Sequence, residues 1–67
     1  ANRMEKLTPL EWRKAKSKTV VDCAEALNVS PMTWRKWEQQ PSLIPIGKAE
    51  EFCQFLGIDA SVVSFLP

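Results

Sequence analysis

The chain contains no histidine. That absence removes the commonest general acid and base, the usual nitrogen ligand of zinc, and any Ser/His or Cys/His nucleophile pair, so an enzyme is not expected. Cysteine is almost as scarce: Cys23 and Cys53 are the only two, and they lack C-x-x-C spacing. Neither a metal site nor any other cofactor is expected from them, and buried thiols kept reduced are the simpler reading. No apolar run approaches the ~18 residues of a membrane span and no signal-peptide pattern opens the sequence, which points to a protein of the cytoplasm. Only two glycines occur, and strand-like alternation is hard to find, so a sheet is disfavoured.

What remains is 67 residues, 45% hydrophobic and 25% charged, the composition of one small globular domain. A chain this short is near the lower limit for folding around a single core without a disulfide, a metal or a partner. The formal net charge of +1 conceals an uneven distribution. Residues 1–36 carry eight Lys/Arg against four Asp/Glu, whereas residues 37–67 carry one against four. A basic face for an anionic partner, with an acidic face turned away from it, accounts for that pattern.

Helix start signals recur along the chain and predict an all-α fold of four or five helices. Thr8-Pro9-Leu10-Glu11 combines a capping threonine, a proline at the first helical position and a glutamate able to bond back to the cap. It predicts a helix over 9–16 with Leu10, Trp12 and Ala15 inward. Thr19-Val20-Val21-Asp22 repeats the capping pattern, and Val20, Cys23, Ala24 and Leu27 mark the inner face of a second helix. That helix should stop near Asn28, which tolerates the left-handed conformation. Ser30-Pro31 opens a third helix with Trp34 and Trp37 inward, and Pro41 marks its end. A fourth, from Pro45 to Leu56, is expected to bury Ile46, Ala49, Phe52, Cys53 and Leu56 before Gly57 stops it. A last helical turn from Asp59 or Ser61 carries Val62, Val63, Phe65 and Leu66. Nothing marks a second domain within residues 1–67.

Two short helices separated only by Asn28 and Val29 have the local form of a helix-turn-helix, at about residues 19–39. Ala24 supplies a small contact where the helices cross, and Val29 anchors the turn. The segment from Thr19 to Glu38 resembles the helix-turn-helix of the lambda-repressor-like superfamily, the Cro/C1-type regulators of bacteria and their phages, with Cro-like members nearest. The resemblance is carried by Ala24, Leu27, the turn Asn28-Val29-Ser30, the apolar Trp34 and the closing Trp37-Glu38. Ile44-Pro45-x-x-Lys48-Ala49 resembles the Ile-Pro-x-x-Arg-Ala that follows the motif in Cro-like members. Four positions depart from the family's habits: Asn28 stands where glycine is frequent, Val20 and Pro31 where glutamine is, and Trp34 where valine or isoleucine is.

The resemblance implies a regulator of transcription that binds double-stranded DNA, a phage or prophage Cro-like repressor, with the third helix in the major groove and no small-molecule ligand. Met32, Thr33, Arg35 and Lys36 would then be the base-contacting residues. Arginine matches guanine bidentately, lysine singly, and methionine packs on a thymine methyl. Lys16, Lys18, Thr19, Ser30, Gln39, Gln40 and Ser42 are candidates for the sugar-phosphate backbone. Lys48, poorly placed for the dipole of the fourth helix, would suit a phosphate. Lys6, Arg13 and Lys14 read as plain surface charges.

A homodimer on a near-palindromic site, half-site centres about 34 Å apart, is expected from so small a contact surface. Val62, Val63, Phe65 and Leu66 are the candidate dimer contacts, and they could equally close the core. Two alternatives stay open. The scaffold could serve as a protein-interaction module, since such folds can lose DNA binding while keeping their core. A start at Ala1 rather than Met also fits the DNA-binding fragment of a longer regulator.

Overall fold

In the computed structural model, which describes residues 6–65, each of the first three helices begins at a side-chain cap. Helix α1 (Pro9–Ala15) starts from Thr8, whose hydroxyl accepts from the Glu11 N–H while the Glu11 carboxylate accepts from the Thr8 N–H. Helix α2 (Val20–Leu27) repeats the reciprocal box with Thr19 and Asp22. Helix α3 (Pro31–Gln39) starts from Ser30, which accepts from the Thr33 N–H. Each such cap satisfies amides that the first turn leaves unpaired.

Helix α4 (Ile46–Leu56) has Pro45 at its cap position and no side-chain cap, so it begins one residue later than expected. Two 3-10 turns, Pro41–Leu43 and Ala60–Val62, complete the regular structure. Among the described residues no strand forms, and the fold is all-α with four α-helices. Two left-handed stops fall where the sequence placed them, Asn28 at φ 59° ending α2 and Gly57 at φ 73° ending α4, and a third that the sequence did not mark, Ser17 at φ 58°, closes α1 with the Lys18 N–H donating to the Arg13 carbonyl at 3.0 Å.

The core gathers Cys23, Ala24 and Leu27 from α2, Trp34 from α3, Phe52, Cys53 and Leu56 from α4, and Ile44 and Val63 from the connecting segments. Helix α2 packs against both α3 and α4. Trp34 is wholly buried, its ring centroid 5.0 Å from Phe52 and 6.2 Å from an edge-on Trp37. Both cysteines are buried free thiols.

Two expected inward residues are placed otherwise, and one of the two roles open to Val63 is decided. Ala15 is exposed, and Pro9 at the other end of α1 is buried instead. Ile46 is 79% exposed, because the chain enters α4 with Ile44, not Ile46, turned into the core. Val63, offered as a dimer contact, is part of the core, and Val62 and Phe65 pack half-buried against it. Leu66 lies outside the described residues. A backbone bridge explains why this end turns inward: the Leu7 N–H donates to the Val62 carbonyl at 3.2 Å and the Ser64 N–H to the Leu7 carbonyl at 2.8 Å. The Trp12 indole N–H also donates to the Val62 carbonyl, at 2.9 Å.

Candidate nucleic-acid interface

Helices α2 and α3 are joined through Asn28, Val29 and Ser30 alone, so the orientation of α3 follows from a few local bonds. The Val29 N–H reaches back to the Ala24 carbonyl at 2.9 Å, a helix-closing bond that the left-handed Asn28 permits. Lys48 tightens the same end. Its ammonium donates to the Leu27 carbonyl at 2.7 Å and sits 3.5 Å from Glu51. Lys48, though poorly placed for the α4 dipole, therefore caps α2 and is not a free phosphate ligand.

The inner side of α3 is fastened by Glu38. Its carboxylate accepts from the Trp34 indole N–H at 2.6 Å and from the Arg13 guanidinium at 2.6 and 3.4 Å. Arg13 also donates to the Lys18 carbonyl at 2.9 Å, and the side chains of Arg13 and Glu38 are only 12% and 8% exposed. Arg13 is thus not a surface charge. It ties α1, the connection into α2, and α3 to one another. Nothing in the periodicity of the sequence pointed to this contact, because the partners lie on separate helices.

With Trp34, Trp37 and Glu38 turned inward, Met32, Lys36 and Gln39 form the opposite row of α3, at i, i+4 and i+7. All three are exposed, Met32 by 80%. Arg35 is exposed on the flank that faces α1. Among the described residues, none of these four side chains has a hydrogen bond, ion pair or ring contact. Thr33 is different: it is half-buried and its hydroxyl accepts from Ser30 at 3.0 Å, so it stands less open to a ligand than the others.

The proposed backbone contacts divide in the same way. Gln40 and Ser42 are exposed beyond α3. The hydroxyls of Ser30 and Thr19 are occupied as caps. Lys16 holds its ammonium 5.9 Å from the Trp12 ring centroid, and Lys18 lies 5.3 Å from that of Phe55. These cation–π contacts restrain the two lysines beside the α2 start without cancelling their charge. Asp22 stands there too, its carboxyl held below the usual value chiefly by the Thr19 N–H. Burial pushes the Cys23 thiol up to about 11, an effect only partly offset by Arg13. Such a thiol is a poor nucleophile near neutral pH.

No protein-family model, curated protein or solved structure matches the chain. Among the described residues no helix is long and apolar enough to cross a membrane.

Proposed function

We propose that the protein binds double-stranded DNA sequence-specifically and regulates transcription, as its resemblance to Cro-like regulators implies. The observation that supports this best is the outer row of α3. A helix nine residues long, seated on a tightly closed turn, holds Met32, Lys36 and Gln39 outward with Arg35 beside them, none engaged within the protein. An α-helix fits the major groove, and that set can meet a thymine methyl, guanine acceptors and an adenine edge. Thr33, with its hydroxyl drawn toward Ser30, contributes at the margin. Lys16, Lys18, Gln40 and Ser42 would flank the helix as backbone contacts, together with the first-turn amides that Thr19 and Ser30 leave uncapped.

Repression would follow from occupying promoter DNA in the cytoplasm of a bacterium. The DNA would carry a two-fold pair of domains, and the exposed Ile46 and Leu43 are better placed than the inward-turned Val62 and Val63 to meet a second copy.

The test is an NMR titration of the labelled protein with random-sequence duplex at low and then higher salt. Shifts concentrated on residues 30–40 and 16–19, reversed by salt, are expected, because phosphate neutralisation releases counterions. If those resonances stay still in a folded protein, DNA binding is excluded and a protein partner becomes the better reading.

A further inference from the structure

A cleft of about 430 Å³ opens between α1, the first residue of α2 and the flank of α3, lined by Leu10, Arg13, Val20, Arg35, Glu38 and Gln39. We propose that this cleft seats one sugar-phosphate unit of a DNA strand, Arg35 holding the phosphate while Leu10 and Val20 meet the deoxyribose. The inference rests on the DNA-binding reading above and changes the role of Arg35 from reading bases to setting position.

Charge selects the occupant. Arg13 is neutralised by Glu38 at 2.6 Å, and its remaining reach is taken by the Lys18 carbonyl. Arg35 is therefore the uncompensated cation of the lining, which suits a single anionic group. The floor is apolar. Leu10 and Val20 are half-buried and offer C–H surface that a free anion would not use and a sugar would.

Direction on the helix agrees with charge. Arg35 follows the inward Trp34 and stands to the α1 side of the Met32, Lys36 and Gln39 row. A side chain reaching sideways from a helix in a groove meets the strand that walls the groove, whereas the outermost row meets base edges. Gln39, at the near edge of the outer row, borders the same cleft. Neighbouring candidates are less free: Lys18 lies over Phe55 and the Thr19 hydroxyl closes its capping box.

The experiment combines methyl-labelled protein titrated with random-sequence duplex, affinities over a salt series, and base preferences selected from a randomised library. The proteins compared are the wild type, Arg35→Ala, Arg35→Lys and Lys36→Ala. The Leu10 and Val20 methyl resonances are expected to shift with random DNA. Arg35→Ala should weaken all duplexes by a similar factor, about three- to tenfold, and lower the slope of log affinity against log salt by about one. Base preferences should be unchanged by it, Arg35→Lys should keep the slope, and Lys36→Ala should alter the preference at one base position. A changed base preference in Arg35→Ala, or still Leu10 and Val20 methyls while α3 shifts, overturns the inference and leaves DNA binding intact. Failure of the wild type to bind any duplex overturns both.

Discussion

Glu38 accepts hydrogen bonds from two side chains on two helices, and its carboxylate is almost fully covered. Replacing it with alanine leaves the Arg13 guanidinium and the Trp34 N–H without an acceptor. Breaking a buried pair from one side costs about 3–5 kcal/mol. A domain this small has about that much to lose, so Glu38→Ala should be largely unfolded by circular dichroism at 25 °C, with Glu38→Gln retaining part of the signal. A fully cooperative Glu38→Ala melt near the wild-type temperature would contradict the role given to this carboxylate.

Titration bears on stability at both ends of the pH range. The folded thiol of Cys23 holds its proton up to about 11 against an ordinary value of 9.0. Stability should therefore be level below pH 9 and fall as pH rises from 9 through 11, where the unfolded chain ionises first. Asp22 and Asp59 are lowered by backbone N–H donors, of Thr19 and Ser61, so their contribution is present above the ordinary carboxylate value and lost as acid protonates them. Urea midpoints measured across pH in the wild type and Cys23→Ala separate the thiol from the other alkaline groups.

At the scale of elements, three helices end on a left-handed residue, Ser17, Asn28 and Gly57, and only the last is a glycine. Gly57 has open space around a Cβ position, so Gly57→Ala meets no clash and bears only the backbone strain of φ 73°. That strain is about 1–2 kcal/mol for an L residue, partly offset by reduced freedom of the unfolded chain. A thermal melt should show a modest loss while the helical content at 25 °C stays unchanged. The helix boundaries themselves were legible from local chemistry. Thr8, Thr19 and Ser30 cap their helices because an oxygen at that position can reach only amides two or three residues ahead. The start of α4 was misplaced by one residue because proline offers no such side-chain oxygen, and the 3-10 turn at Pro41–Leu43 had no comparable signal.

For the whole molecule, the fold decides which apolar segment closes the core and which stays open. Val63 is held in the core by the bridge to Leu7, whereas Ile46 stands exposed. Ile46 forms one wall of a cleft of about 350 Å³ whose other walls are the apolar Pro41, Ile44, Ala49, Ala60 and Phe65 with Ser42 and Glu50 at its edge. A protruding side chain beside a hole on one patch is the self-complementary arrangement that a two-fold contact requires. If the proposed DNA binding as a two-fold pair holds, sedimentation with a palindromic duplex should show two copies bound cooperatively, and Ile46→Asp should reduce this to independent single copies while leaving helicity unchanged. Unaltered cooperativity in Ile46→Asp would rule this patch out as a contact between copies.

The helical class, the capped starts, the left-handed stops at Asn28 and Gly57 and the outward position of Met32, Arg35 and Lys36 could all be read along the chain, because each depends on residues no more than a turn or two apart. The Arg13–Glu38 pair, the Lys48 cap on Leu27, the choice between core and interface for Val63 and the exposure of Ile46 could not. Each joins positions far apart in sequence, and which face a side chain finally presents there depends on how whole helices meet. The charge of Arg35 was plain from its name. That Arg13, an equal charge in the same cleft, is cancelled and Arg35 is not could be decided only by the fold.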